Sequence, residues 1–315
     1  MKVLIIGSGP MSLEYIKVLD YYNFEVVVVS KSKRNFNIIK EKYNNVECVC
    51  LKNLKEFKNT NDFEFVINCV SIESLYQVSK DLISLGLRKI LIEKPGCLSI
   101  NELEDLIELS KKTKTVLKIA LNRRHFNSTI YIKDQLKRLE VTSAHLDFTE
   151  WIKGIDKRKY SLMSLNKWLF SNSIHVIDLF FYLFGLPKEI NNFSSESNKI
   201  PWHPSASIFI GNGEFKSKAK FSYKADWNGP GRWAIEFTDV KHKYIMSPLE
   251  EVRRMGLDNF EISKIDIPDN DDLKFKPGLK KMIDNFYQNN FKNFISLDDY
   301  KKLLIVINGI GGYKS

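Results

Sequence analysis

Three short stretches carry residues whose types and spacing can do chemistry. The first is GSGPMS, residues 7–12, which follows an apolar run and opens a helical pattern. Gly7 permits a tight turn there, and Gly9 lets the backbone approach a pyrophosphate at a positive helix end, with Pro10 and Met11 opening the helix. Ser12 stands where the usual fingerprint has a third glycine. The end of the next apolar run, VVVVSKSKR, offers Ser30, Lys31, Ser32, Lys33 and Arg34 and no carboxylate. An acidic residue at that point binds a ribose 2′-hydroxyl and repels a phosphate, whereas hydroxyls and fixed cations suit a 2′-phosphate. The expected cofactor is therefore NADP(H) in preference to NAD(H), the competing reading being a solvated loop in a lysine-rich chain. Val70 and Ser71, after the fourth apolar run, belong to the same candidate cofactor site, as do Glu93, Lys94 and Arg123.

The second stretch, ILIEKPGCLS, places Glu93 and Lys94 at the end of a buried strand, where ligands collect in open α/β sheets. Pro95 keeps Lys94 out of helical geometry. The third, WLFSNSIHVIDLFFYLFG at 168–185, reads as a core-packing helix with a polar N-terminal edge. Ser171 and His175 are spaced i,i+4, and Asn172 and Asp178 each lie three residues from His175, so all four lie on neighbouring parts of one face. Asp178 either orients the imidazole or meets solvent or a structural partner.

These stretches need a scaffold, and the first 120 residues supply its pattern. Runs VLIIG, EVVVVS, VECVCL, FVINCV, KILIE and VLKIAL alternate with helical segments such as MSLEYIKVLDYY and SINELEDLIELSKKT. Continuous β-branched runs between helices imply βαβ units and a parallel sheet buried on both faces. The predicted class is α/β: a doubly wound, Rossmann-type domain over 1–121 and an α+β domain over 122–315, built on a largely antiparallel, open-faced sheet. In the latter, stretches such as VTSAHLDFTEW and EFKSKAKFSYKA alternate polar and apolar residues, NG at 212–213 signals a hairpin turn, and two helices close the chain.

The formal charge of +10 admits anionic ligands, but the lysines are scattered and no nucleic-acid motif accompanies them. No apolar run approaches the roughly 20 residues of a membrane helix, and the N-terminal run enters a glycine turn, so it reads as a strand and not a signal peptide. Cys48, Cys50, Cys69 and Cys97 form no CxxC and have no histidine at metal spacing, so reduced thiols in a cytoplasmic protein are expected and a metal site is not. YQVSK at 76–80 has the YxxxK spacing of short-chain dehydrogenases but lies too early in the chain for that catalytic helix.

Taken together, the nucleotide-type fold ending in EKP, the NRRHF segment at 122–126, the SIHVIDLFFYLFG helix and the terminal β region resemble the glucose-fructose oxidoreductase / inositol dehydrogenase (Gfo/Idh/MocA) family along essentially the whole chain. The resemblance implies a hydride transfer between a nicotinamide cofactor and a sugar or cyclitol hydroxyl or ketone. It puts Lys94 near the nicotinamide and the reacting oxygen. Its ammonium can give a proton to a forming alkoxide; for the reverse direction its pKa must fall from about 10.4, which burial and a cationic nicotinamide favour. Arg123 or Arg124 matches the segment that contacts cofactor and substrate; an arginine there holds a hydroxyl or phosphate or forms a structural ion pair.

The family helix commonly has an aspartate where this chain has Ser171, which leaves Lys94 and His175 as the expected catalytic pair. Lys94, Arg124, Ser171, Asn172 and His175 are substrate-binding candidates, and Tyr160 and Trp168 either wall a sugar site or pack the core. A nucleotide-linked sugar, with a role in surface-glycan sugar biosynthesis, is a further expectation. The alternatives are reduction of a non-sugar carbonyl or conjugated double bond, as in relatives of biliverdin reductase, and a non-catalytic NADP-binding sensor or scaffold. The resemblance also implies a homodimer or homotetramer formed through the second sheet.

Overall fold

The computed structural model describes residues 1–313 apart from 59 and 269. It divides into two compact units. The first comprises Met1–Asn122 and Asp271–Lys301, the second Arg123–Asn270 and Lys302–Ser315.

The first unit holds β1 (Lys2–Ile6), α1 (Pro10–Tyr21), β2 (Glu25–Ser30), α2 (Phe36–Lys42), β3 (Val46–Cys50), β4 (Phe65–Asn68), α3 (Leu75–Ser84), β5 (Lys89–Glu93), α4 (Ile100–Thr113) and β6 (Val116–Ala120). All six strands are parallel, in the order β3-β2-β1-β4-β5-β6. The order reverses between β1 and β4, the point beyond which such sheets bind ligands at their strand ends. The strands are continuous Val/Ile/Leu runs because both faces are covered: Val3, Ile5, Val26, Val28 and Ile67 pack with Tyr15, Ile16 and Leu19 of α1. Each such buried side chain contributes about 1.5–3 kcal/mol. The later helix Leu279–Tyr287 adds Met282, Ile283 and Phe286 to this core.

In the second unit lie α5 (Asn127–Gln135), β7 (Val141–Asp147), α6 (Leu162–Asn166), α7 (Ile174–Phe184), β8 (Pro187–Ser195), β9 (Ile208–Phe215), β10 (Lys220–Asp226), β11 (Ala234–Asp239), β12 (His242–Met246), β13 (Arg253–Gly256) and β14 (Asn259–Lys264). The eight strands run β14-β13-β12-β11-β7-β10-β9-β8, antiparallel except for the parallel pair β7 and β10. Strict in-out alternation in β10 buries Phe221, Tyr223 and Ala225. The buried face packs on α7, where Phe180 lies 5.7 Å from Phe215 and 5.9 Å from Phe221, and Phe184 lies 5.3 Å from Phe237.

Two local expectations are corrected. Asn212-Gly213 is not a turn: both residues lie inside β9, with Asn212 opposite Ser222 and Gly213 opposite Phe221. Gly213 is required by close approach, since a Cβ there would sit 2.2 Å from the Glu189 carbonyl oxygen and 2.5 Å from the Phe221 ring. Nor is 168–185 one α-helix. A π turn spans Leu169–Ser173, and α7 begins only at Ile174 and ends at Gly185, whose φ is +93°. Serine and asparagine side chains that bond to backbone and to other elements replace regular helical order through this polar segment.

Candidate active site

The glycine turn is shaped by its own contacts. Gly7 has φ +111°, and a Cβ on it would meet the Cys69 carbonyl oxygen at 2.8 Å. Ser12 is fully buried and donates its hydroxyl to the Gly7 carbonyl at 2.8 Å, with the Cys69 sulfur 3.2 Å away. Burial pushes the Cys69 thiol up to about 12, so it stays protonated. The residue replacing the third glycine thus closes the turn. Around Gly9, by contrast, a Cβ would find no atom within 4 Å. Gly9 is the N-cap of α1, with no side-chain cap and no acidic residue in the first turn, and Pro10 starts the helix. The first N–H groups therefore face an open approach suited to a phosphate. Met11 is half-buried beside them.

The loop after β2 is tied to that turn. Ser8 donates its hydroxyl to Ser30 at 3.0 Å, and Asn35, in the left-handed region at φ +61°, donates its side-chain amide to the Ser8 carbonyl at 2.8 Å. Lys31, Ser32, Lys33 and Arg34 are exposed, and Ser30 is half-buried. Val70 follows β4 by two residues, and its backbone nitrogen lies 3.2 Å from where a Cβ on Gly7 would stand; Ser71 comes next in the chain. This arrangement fits a dinucleotide: a backbone cradle open at Gly9, then exposed hydroxyls and fixed cations at the end of the second strand.

Glu93 closes β5 with a buried carboxyl that accepts from the Tyr15 hydroxyl. Burial raises the Glu93 carboxyl above the usual carboxylate range, against the opposing pull of Tyr15, Lys94 and Lys276. Lys94, half-buried, follows it. The turn behind Lys94 is anchored by Tyr300, whose buried hydroxyl donates to the Pro95 carbonyl at 2.7 Å. The Ser99 hydroxyl, as N-cap, accepts from the Glu102 amide at 3.2 Å while the Glu102 carboxylate accepts from the Leu98 amide at 2.8 Å, and the two bonds fix the start of α4. Lys94 thus stands on a strand end fixed on both sides.

In the second unit, Trp233 gathers two of the candidate residues. The His175 ring centroid is 6.2 Å from it, and the Arg123 guanidinium sits over it at 4.9 Å. Among the described residues the buried Nε of Arg123 has no hydrogen-bond partner. Burial lowers the Arg123 guanidinium to about 10, with Glu250 and Glu150 pulling the other way. Arg124 is engaged differently: its Nε and Nη2 donate to both oxygens of Asp178 at 2.9 and 2.7 Å, and the guanidinium lies over Tyr182 at 4.4 Å. The pair is 8% and 1% exposed, so it locks the segment before α5 to α7. Asp178 thereby has a structural partner.

The polar edge before His175 is held at several points. Ser171 is 1% exposed and donates to the Ser164 carbonyl at 2.7 Å. The Leu169 amide donates to the Tyr313 hydroxyl at 2.9 Å, and Tyr313 in turn meets His203 at 2.9 Å. Asn172 donates to both Glu150 oxygens at 3.1 and 3.0 Å, and Ser173 to one of them at 2.6 Å. Trp168 is buried, edge-on to Tyr160 at 5.0 Å and to Trp202 at 5.6 Å, while Tyr160 keeps an exposed edge. Glu150, Trp233, Tyr300 and Asn35 were not singled out from the sequence. Each acts across a long sequence separation, and only the burial of a charged residue in the alternating DFTEW stretch signals any of them.

Tyr76 and Lys80 of the YQVSK stretch serve α3. Tyr76 donates to Asp105 at 2.8 Å and Lys80 pairs with the same carboxylate at 2.8 Å, which joins α3 to α4.

Residues 1–121 match the family model GFO_IDH_MocA, described as "Oxidoreductase family, NAD-binding Rossmann fold". No curated protein matches the chain. Among solved structures, the dehydrogenase MviM from Clostridium difficile is 17% identical, with 98% of this chain and 97% of that chain covered and a TM-score of 0.76. UDP-N-acetylglucosamine 3-dehydrogenase GnnA from Acidithiobacillus ferrooxidans is 14% identical, over 98% of this chain and 95% of that chain, with a TM-score of 0.72. The transcriptional regulator Gal80p from Kluyveromyces lactis is 15% identical, over 98% of this chain and 88% of that chain, with a TM-score of 0.79. At these identities the likeness is one of fold, and it extends over both units. The strand order, the glycine turn and the family match agree, so the first 121 residues belong to the Gfo/Idh/MocA oxidoreductase family with its NAD-binding Rossmann fold.

Proposed function

We propose that the protein is an NADP(H)-dependent oxidoreductase acting on a sugar, cyclitol or nucleotide-linked sugar, at a CH–OH carbon or the corresponding ketone, in surface-glycan sugar biosynthesis. The observation that carries the cofactor assignment is the exposed Ser30–Arg34 loop, rich in hydroxyls and cations and tied to the glycine turn through Ser8 and Asn35. When bound, the nicotinamide supplies or accepts the hydride. The chain's own groups then handle the proton: Lys94 Nζ gives one to the forming alkoxide in ketone reduction and takes one from the hydroxyl in the reverse direction. His175 is the second proton-handling group, since an imidazole can both take and give a proton.

Arg123 favours an anionic substrate, because a half-buried guanidinium over Trp233, its Nε buried without a hydrogen-bond partner among the described residues, is stabilised by a ligand phosphate or carboxylate. The name of the UDP-sugar dehydrogenase neighbour is consistent with that chemistry. All four cysteines are thiols, none joined in a disulfide, which supports a cytoplasmic setting, and no helix among the described residues is long and apolar enough to cross a membrane. The test is steady-state kinetics with both cofactors on one turned-over substrate. kcat/KM with NADPH should exceed that with NADH by about tenfold or more, the scale of one charge-assisted phosphate contact; equal or better use of NADH would overturn the assignment.

The likeness to Gal80p, a transcriptional regulator, favours one second reading: an NADP-binding sensor without turnover. Tight NADPH binding with no consumption on any keto-sugar or sugar nucleotide would establish it.

A further inference from the structure

The glycine turn of the first unit receives a side chain from far along the chain. Lys276, in the Asp271–Lys301 portion of that unit, donates its ammonium to the Met11 sulfur at 3.3 Å, in the first turn of α1. The backbone around Lys276 is pinned on both sides. Lys17 of α1 donates to the Lys274 carbonyl at 2.6 Å, Phe275 is buried with its ring centroid 5.5 Å from that of Tyr21, and Asn122 donates its side-chain amide to the Pro277 carbonyl at 3.0 Å. Gly278, at φ +71°, donates to the Asp272 carboxylate at 2.7 Å and caps the helix Leu279–Tyr287. An exposed lysine is thus delivered to the start of α1 by a segment that is itself fixed.

A thioether is a weak, uncharged acceptor, and among the described residues it is the only hydrogen-bond partner of the Lys276 ammonium. The same charge is felt at the end of β5: burial raises the Glu93 carboxyl, and Tyr15, Lys94 and then Lys276 oppose that rise. Lys276 therefore acts on the start of α1 and on the end of β5, two points at the carboxyl edge of the parallel sheet on either side of the reversal in strand order. The turn GSGPMS contains no cation of its own, and α1 offers a bound phosphate only the partial charge of its N–H groups. We propose that Lys276 is a cofactor-binding residue whose ammonium leaves the Met11 sulfur and pairs with the pyrophosphate of the dinucleotide at the Gly9 turn. It supplies the full positive charge that the turn lacks. The exposed cations Lys31, Lys33 and Arg34 follow β2 and serve the ribose end, so the two sets of cations meet different phosphates.

The inference rests on the cofactor site of the function proposed above and needs neither its substrate nor its turnover. NADPH and NADH are titrated by fluorescence into the full chain as wild type, Lys276→Gln and Lys276→Arg. Both nucleotides carry the pyrophosphate, so Lys276→Gln should weaken both by the same factor, about fivefold or more, the scale of one charge-assisted contact. Lys276→Arg keeps the charge and should bind within about twofold of wild type. The Lys276→Gln deficit should fade at about 1 M salt, where the Debye length is about 3 Å. Lys276→Gln that binds both nucleotides as well as wild type overturns the inference and leaves the cofactor reading intact. A loss confined to NADPH also overturns it, since the lysine then meets the 2′-phosphate. So does an equal loss in Lys276→Arg that persists in salt, which marks damage to the turn. A wild type that binds neither nucleotide overturns the cofactor reading and this inference together.

Discussion

His203 shows how much one buried side chain can govern. It is fully buried, its Nδ1 donates to the Ala206 carbonyl at 2.7 Å, and its Nε2 accepts from the Tyr313 hydroxyl, which accepts in turn from the Leu169 amide. That relay needs a neutral imidazole, and burial depresses His203 to about 4 from 6.5. The unfolded chain binds the extra proton between those values, so the contribution is fully present above about pH 6.5 and is lost as pH falls toward 4. Stability should drop by about 3 kcal/mol over that window, since each pH unit between the unfolded and folded midpoints is worth about 1.36 kcal/mol. Urea unfolding of wild type and His203→Gln at stepped pH checks this: the variant's curve should be flatter, and parallel curves would contradict it. Lys94 and His175 were nameable as candidates from the sequence because each sits in a local motif. Glu150 and Trp233 were not, because their roles come from contacts that no spacing encodes.

At the scale of elements, the glycine turn separates shape from access. Gly7→Ala puts a Cβ against the Cys69 carbonyl at positive φ and should cost about 1–3 kcal/mol. Gly9→Ala meets nothing within 4 Å and has an ordinary φ of −81°, so unfolding stability should stay within about 0.5 kcal/mol of wild type. The new methyl still stands where a pyrophosphate approaches, so NADPH affinity by fluorescence titration should fall about tenfold or more. Gly9→Ala that binds NADPH as well as wild type would remove the turn from the cofactor site. The six strands of the first sheet were legible to within two residues because parallel strands covered on both faces are unbroken apolar runs. The π turn and the mid-strand Asn212-Gly213 were not legible. One depends on side chains reaching other elements, the other on a glycine chosen for the approach of Phe221 and Glu189.

For the molecule as a whole, alternation leaves the second sheet with one buried and one outward face, and the outward face carries Phe193 and Ile210, 79% and 55% exposed and opposite each other in the β8–β9 register. We infer that this face pairs with a second copy of the chain. Sizing chromatography with light scattering should give a dimer or tetramer, with Ile210→Glu shifted toward monomer; a monomeric wild type would count against it. The functional account is tested most directly by following NADPH oxidation against keto-sugars and sugar nucleotides in wild type and Lys94→Ala. The account predicts turnover in the wild type that falls about 100-fold or more without the lysine, within the range for loss of a general acid–base group. Turnover indifferent to Lys94, or tight NADPH binding with no turnover at all, would contradict it.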